Sequence, residues 1–175
     1  MLSRFFKFFC MDDDFETNNL YEDFGKRYST KSFGGGLFNV MDYDKRSYWN
    51  ELIGEFFPSY KDNIAVIGYD WLGRVFATLK DQDCIKLFEI GTGEVLNIGC
   101  TMENLLEEEI PVYADDALAY KFYKEWKKNN SEDIPYGKCV GYKVPLFLGG
   151  KDDLSNLELS DLDVYWNVVG PMLRR

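Results

Sequence analysis

The side chains most able to do chemistry in this sequence are carboxylates that occur in short runs. The runs are residues 12–14, 107–109, 115–116 and 152–153. Neighbouring carboxylates can bind a hard cation or act as an acid and base pair. The EF-hand pattern of alternating oxygen ligands, a central glycine and a closing glutamate is missing from all four. Solvated faces and helix starts explain most of these runs, so we predict no metal site.

Two of the runs flank Pro111 and leave a second interpretation open. Their members are Glu107, Glu108, Glu109, Asp115 and Asp116. Carboxylates presented together can imitate the phosphates of a nucleic acid toward a basic protein surface. We therefore predict these five side chains as partner-binding residues.

The chain contains no histidine. It therefore lacks the commonest zinc ligand and the commonest general base at neutral pH, and neither a Ser-His-Asp nor a Cys-His mechanism can be built from it. Glycine runs at residues 34–36 and 149–150 lack the spacing of a phosphate-binding loop and predict tight turns, as does the triplet at 91–93. We expect no catalytic residue, no cofactor and no enzymatic activity.

The four cysteines are widely spaced, and none belongs to a C-x-x-C pair. They are Cys10, Cys84, Cys100 and Cys139. This pattern is typical of buried thiols in a reducing compartment. We accordingly expect a cytoplasmic protein.

The composition restricts the classes of partner. Thirty acidic against 20 basic side chains leave a formal charge of −10 at pH 7. That charge repels nucleic-acid backbones and anionic lipid headgroups, and it attracts a basic protein. We expect no direct nucleic-acid or membrane binding. An acidic surface that serves solubility alone is the competing interpretation.

The N-terminal 11 residues contain four phenylalanines, at positions 5, 6, 8 and 9. Lys7 interrupts the apolar run and three aspartates follow it, so a signal peptide is not favoured. No segment approaches the roughly 20 apolar residues that span a bilayer. We predict that these rings pack onto the domain. Whether Met11 is an alternative start is left open.

Large aromatic residues fall into two groups. Trp49, Trp126 and Trp166 lie on helical apolar stripes, which favours core packing. Trp71 lies in the turn-like segment 69–74, where it either folds back over a sheet or faces a partner. We keep both alternatives and include Asp70 and Trp71 among the predicted partner-binding residues.

The apolar spacing predicts the elements that position these side chains. A helix is expected near residues 21–28, and another from residue 44 to Pro58. Four strands at 64–68, 74–79, 84–90 and 94–98 are separated by hairpin-length turns, which predicts an antiparallel meander. Partial alternation in the second strand predicts one face covered by helices and the other partly exposed to water.

The second half is expected to be mainly helical. One helix follows Thr101 and is interrupted at Pro111, and another follows Asp115. An apolar run at 142–148 precedes a short strand near 156–159. Ser160 and Asp163 fit a capping box that opens a final helix, which Gly170 and Pro171 stop.

These elements predict an α+β fold with a mainly antiparallel sheet. The sheet is a meander of about four strands plus one or two C-terminal strands, packed against amphipathic helices. We divide the chain into a partly helical N-terminal extension, residues 1–43, and one α+β domain, residues 44–175.

Four stretches resemble a known family. They are residues 67–76, 87–96, 139–150 and 156–166, the last closing on Tyr165 and Trp166. Together they resemble the C-terminal domain of immunity proteins that neutralise a type VI secretion DNase effector, over about residues 45–175. That domain is broadly similar to the SUKH-like bacterial immunity proteins.

The resemblance implies an antitoxin that binds a cognate secreted toxin, which we expect to be a basic nuclease, and blocks its active site without chemistry of its own. A small-molecule or peptide-binding regulatory domain, with aromatic residues around Trp71 lining a cleft, is the alternative.

Overall fold

Six of the strands form one antiparallel sheet in which each strand pairs with its neighbour in sequence. The structure, a computed structural model, describes residues 2–174. The sheet strands are β1 (Ser32–Phe33), β2 (Phe38–Val40), β3 (Ile64–Asp70), β4 (Val75–Leu79), β5 (Ile85–Glu89) and β6 (Glu94–Gly99). Strands β7 (Lys138–Tyr142) and β8 (Leu157–Asp161) form a separate antiparallel pair. The predicted α+β class and its meander are confirmed.

The helices surround both sheets. They are α1 (Ser3–Phe8), α2 (Leu20–Arg27), α3 (Arg46–Phe56), α4 (Met102–Asn104), α5 (Ile110–Val112), α6 (Ala114–Leu118), α7 (Tyr120–Asn129) and α8 (Leu162–Val169). A π-helical turn, Leu105–Glu109, joins α4 to α5. Short 3₁₀ turns cover Tyr43–Lys45, Pro58–Tyr60, Leu146–Leu148, Leu154–Asn156 and Gly170–Arg174.

Both faces of strands β3, β4 and β5 are largely buried, whereas the residues of the edge strand β6 are exposed or half-buried. Phe76 packs into one apolar cluster with α1, α2 and the helices from α4 to α7. Val75, Ala77 and Leu79 pack into a second cluster with α3 and α8. The predicted separation of Phe76 from these three side chains is confirmed. Helices on both sides shield the central strands, and water reaches the Phe76 face at its edge, where Thr78 is half-buried and Leu96 is exposed.

The N-terminal 43 residues contribute to the same sheet and core. Strands β1 and β2 extend the meander beyond β3. Phe5 and Phe6 are buried, and Phe8 and Phe9 pack at the edge of the first cluster. The prediction that this aromatic segment packs onto the domain therefore agrees with the structure. The division into an extension and a domain stays a prediction.

Local expectations fail at three points where the backbone turns. Asp161, not Ser160, precedes α8, and no side chain caps that helix start. Ala119 adopts a left-handed conformation, with φ 48°, so the helix predicted after Asp115 is divided into α6 and α7. Of the four free cysteines only Cys139 is buried. The exposed Cys10 and Cys100 lie in turns just beyond α1 and β6, where no other element covers them.

The ring of Phe5 should make the N-terminal helix essential to stability. It is 0% exposed and contacts five other rings at centroid distances of 5.0–6.0 Å, those of Phe6, Phe9, Phe24, Phe33 and Phe38. We expect Phe5→Ala to lower the free energy of unfolding by about 3–5 kcal/mol, because it leaves a cavity among these rings. Urea denaturation measures this loss. Lys7→Ala on the exposed side of the same helix is the control, with an effect within about 0.5 kcal/mol. Equal stability of the two variants would show that α1 is not part of the core.

Candidate partner-binding surface

Two of the predicted partner-binding residues, Asp70 and Trp71, are buried. Both are 0% exposed. The indole nitrogen of Trp71 donates to the carbonyl oxygen of Leu118 at 2.9 Å, and its ring packs on Phe122 and Tyr123. Trp71 is therefore folded back into the core and lines no exposed cleft. Neither residue is accessible to a partner in this structure, and the prediction for these two is corrected.

Asp70 instead holds together the turn between β3 and β4. Its carboxylate accepts from the backbone N–H groups of Leu72 and Arg74 at 3.1 and 3.0 Å. The guanidinium of Arg74 donates to the same carboxylate at 2.7 Å through Nε and lies 2.6 Å away through a terminal nitrogen. Desolvation lowers the pKa of Arg74 while the charge of Asp70 raises it, and the pKa lies above its ordinary value. The pair is a buried ion pair in which both carboxylate oxygens accept hydrogen bonds or lie against the guanidinium.

The five acidic residues around Pro111 have different tasks. Glu107 accepts from the backbone N–H groups of Arg4 and Phe5 at 3.0 and 3.2 Å, and so caps the start of α1. Asp115 accepts from the N–H of Lys121 at 2.9 Å, at the start of α7, and also pairs with the Lys121 ammonium group. The hydrogen bond from Lys121 lowers the pKa of Asp115. These two carboxylates are engaged within the fold.

The carboxylates of the remaining three acidic residues make no ion pair with residues 2–174 and accept no backbone hydrogen bond from them. Glu108 and Asp116 are exposed, and Glu109 is half-buried. Glu108 makes one side-chain contact, accepting from Asn104 at 3.2 Å. A partner-binding role for this acidic group stays a prediction. Asp115 is exposed as well, but its carboxylate is paired with Lys121, so the structure favours Glu108, Glu109 and Asp116 as the members that could bind a partner.

The π-helical turn explains how the chain passes Pro111. Proline has no N–H to donate to the residue four positions back, and its ring collides with that carbonyl in a regular helix. The N–H of Ile110 donates to Leu105, five residues back, which widens the turn before Pro111. Leu105, Leu106 and Ile110 remain buried. The predicted interruption at Pro111 is therefore a π-turn, a feature often found at functional sites.

Sequence reasoning missed two exposed apolar side chains next to this turn. Val112 is 54% exposed and Tyr113 is 48% exposed. They lie between the accessible acidic residues before and after them, and we call this group, Glu108, Glu109, Val112, Tyr113 and Asp116, the acidic knob. The only signal in the sequence is that neither residue fits the apolar stripe of a neighbouring helix. In protein interfaces, a few large side chains surrounded by a polar rim contribute most of the binding energy.

Other candidate chemistry is not supported by the geometry. Within residues 2–174, no group of three or more His, Cys, Asp or Glu side chains is placed to hold a metal ion. In the same range, no helix has the length and apolar character needed to cross a membrane. The glycine runs form turns, as predicted: Gly34, Gly35 and Gly36 all have positive φ.

The α+β fold of this chain is similar to that of a solved structure, the crystal structure of Atu4351 from Agrobacterium tumefaciens. The TM-score is 0.66 at 14% sequence identity, and the similarity covers 97% of this chain and 88% of that chain. At this identity the similarity shows a shared α+β fold and nothing about activity. A comparison with curated protein sequences found no match.

The second half of the chain is similar to a known family. Residues 102–173 match the family of the T6SS immunity protein Tdi1, C-terminal. This confirms the resemblance to the C-terminal domain of type VI secretion immunity proteins. The stretches at 139–150 and 156–166 lie inside the match, whereas those at 67–76 and 87–96 precede it. The acidic knob also lies inside it.

The ion pair between Asp70 and Arg74 yields a stability prediction. We expect Asp70→Asn to cost about 3–5 kcal/mol of unfolding free energy, because it removes the negative charge that is hydrogen-bonded to the buried Arg74 guanidinium. Lys138→Met, which breaks the exposed pair with Asp161, is the control and should cost less than about 1 kcal/mol. Chemical denaturation of both variants tests this. If Asp70→Asn is as mild as the control, the ion pair does not hold the turn.

Proposed function

We propose that this chain is an immunity protein that binds a cognate type VI secretion toxin and neutralises it by covering the toxin's active site. The observation that supports this most directly is that the match to the immunity-protein family includes the acidic knob. We propose further that the toxin is a basic nuclease, that the protein acts in the cytoplasm, and that it performs no catalysis itself. A relationship to the SUKH-like group belongs to the same proposal.

The charge of the chain supports a nuclease as the partner. A nuclease must present cationic groups to hold a phosphate backbone, and the formal charge of −10 here is complementary to them. Complementary charges raise the association rate and suppress wrong partners more than they raise affinity. Carboxylates of the acidic knob would then occupy the positions that substrate phosphates take.

The exposed apolar residues of the acidic knob would supply the binding affinity that charge complementarity alone does not give. Tyrosine is enriched among residues that dominate interface energies, and its rigid ring buries a large area at low entropic cost. Backbone N–H groups of Asp116 and Ala117 donate to the Tyr113 carbonyl, both at 3.0 Å, which fixes the main chain that carries the ring. The knob therefore combines a rigid anchor with a charged rim.

The function itself is tested by co-expression. We expect a toxin to be encoded beside the gene for this chain; cells expressing that toxin should survive only when the chain is co-expressed, and an affinity-tagged chain should retain it from lysate. Growth arrest despite co-expression, together with no toxin retained, would reject the proposal.

The acidic rim is tested by charge reversal. The triple variant Glu108→Lys, Glu109→Lys and Asp116→Lys should weaken toxin binding by at least about tenfold at low salt, since attraction becomes repulsion. The control is Asp14→Lys, Glu51→Lys and Asp83→Lys, which changes the net charge equally at exposed sites elsewhere. Calorimetric titration at two salt concentrations measures both. Equal losses for the two triples would mean that only overall charge matters.

The apolar anchor is tested separately. Tyr113→Ala should weaken binding by more than about tenfold if the ring is a central contact. Leu148→Ala removes another exposed apolar side chain, 55% exposed, outside the knob and should leave affinity unchanged. Unaltered dissociation rates for Tyr113→Ala would exclude the ring from the interface.

A further inference from the structure

A second surface feature lies on the opposite face of the sheet from the acidic knob. It is a groove of about 450 Å³ between the start of α3, the segment before β7 and the start of α8. The knob's helices pack on the first apolar cluster, whereas α3 and α8 pack on the second. The groove is lined by Met41, Lys45, Tyr48, Trp49, Tyr69, Tyr136, Gly137, Leu162 and Asp163.

Four of the nine residues that line the groove are aromatic. Tyr48 is 42% exposed and Tyr136 half-buried, while Trp49 and Tyr69 are buried behind them. The Tyr136 hydroxyl accepts from the N–H of Asp42 at 2.9 Å, and the Tyr69 hydroxyl accepts from that of Gly137 at 2.7 Å. Burial raises the pKa of Tyr136 to about 12, so the phenol is neutral at neutral pH. These hydrogen bonds hold the rings of Tyr136 and Tyr69 in place, and the faces of aromatic rings attract cations.

A carboxylate lies at the rim with half of its acceptor capacity free. Oδ1 of Asp163 accepts from the Tyr48 hydroxyl and, at 3.0 Å, from the side-chain amide of Asn167. Among residues 2–174, no donor lies within hydrogen-bond distance of Oδ2 of Asp163. Two neighbours therefore orient the carboxylate while one oxygen stays available. This is the geometry required to receive a charge-assisted hydrogen bond.

Lys45 is the one cation that lines the groove, and it works against this interpretation. It makes no ion pair with a described residue, but Asp42 and Asp44 lie next to it in the chain, and Asp44 is exposed. Within the lining itself, the ammonium group of Lys45 balances the carboxylate of Asp163. The formal charge of −10 on the whole chain is what favours a cationic occupant over an anionic one.

We propose that this groove binds an arginine or lysine side chain of the toxin, with the cation against the faces of Tyr48 and Tyr136 and paired with Oδ2 of Asp163. The inference rests on the proposed function for the identity of the partner. It adds a second contact region, separate from the acidic knob, so that the toxin contacts both faces of the domain. Basic side chains are expected in a partner selected by the charge of −10.

Two substitutions of opposite sign test the proposal in the full chain. Asp163→Asn should weaken binding of the purified toxin about tenfold, the size of one charge-assisted hydrogen bond. Lys45→Met should strengthen binding about twofold at low salt, because it removes repulsion from the cationic side chain. Glu51→Gln, on the exposed face of α3 outside the groove, is the charge-matched control for Asp163→Asn and should leave affinity unchanged. Thermal melts confirm that each variant is folded.

The outcomes separate this proposal from the proposed function. If the wild-type chain binds the toxin but Asp163→Asn equals Glu51→Gln, the groove is not a contact and only this inference fails. Weaker binding of Lys45→Met would indicate an anionic occupant and would also overturn it. If the wild-type chain does not bind the toxin, the proposed function fails, and a direct titration decides the chemistry of the groove.

That titration uses N-acetyl-arginine amide, with the neutral N-acetyl-citrulline amide as its isosteric control. The arginine compound should shift the NMR signals of Tyr48, Trp49 and Asp163 with a dissociation constant on the order of millimolar, as expected of one ion pair with aromatic contact. The shifts should vanish for citrulline and for Asp163→Asn. Identical shifts for the charged and neutral compounds, or none for either, would overturn the cation-binding assignment.

Discussion

The fold depends on the buried ion pair between Asp70 and Arg74 in the turn between β3 and β4. Removing two charges from water is costly, and the arrangement is stable only because the carboxylate is fully hydrogen-bonded. Arg74 also donates to the carbonyl oxygen of Ala117 at 3.3 Å, which ties α6 to the turn. This pair therefore connects the sheet to the helices that carry the acidic knob.

The same turn reaches the other elements through its backbone. The carbonyl of Trp71 accepts from the N–H of Val140 at 2.7 Å, which aligns β7, and the carbonyl of Gly73 accepts from the indole of Trp166 at 2.8 Å, which holds α8. One short segment thus contacts both apolar clusters. Gly73 has φ 77°, and a side chain there would press on Cys139. Glycine is required at this position both for its conformation and for lack of space.

The two proposed recognition surfaces, the acidic knob and the groove, are formed by helices that contact this turn or lie next to helices that do. The acidic knob is positioned by two features. The π-turn carries the chain past Pro111, and the carboxylate of Glu107 holds this segment against the start of α1. The N-terminal residues thereby help to orient a surface that is over 100 positions away in sequence. The groove depends on α8, whose position is fixed by Trp166. Rigid elements support both surfaces, which limits the entropy lost on binding.

The sequence by itself determined the local structure and the class of fold. Alternating and helical apolar spacing located the strands β3 to β6, helix α3 and the helical stripes, because these periods reflect which side of an element meets the core. The order of motifs carried the family resemblance. Charge and the lack of histidine favoured binding over catalysis.

Tertiary structure alone decided which of the candidate residues are accessible. The sequence predicts that Asp70 and Trp71 bind a partner from a turn. Both are buried, because helices cover the two faces of the sheet at this turn. Glu107 and Asp115 looked equivalent to Glu108 and Asp116, but long-range and capping hydrogen bonds engage the first two within the fold. Val112, Tyr113 and the aromatic groove depend on how distant segments meet. Spacing along a chain carries no information on such contacts.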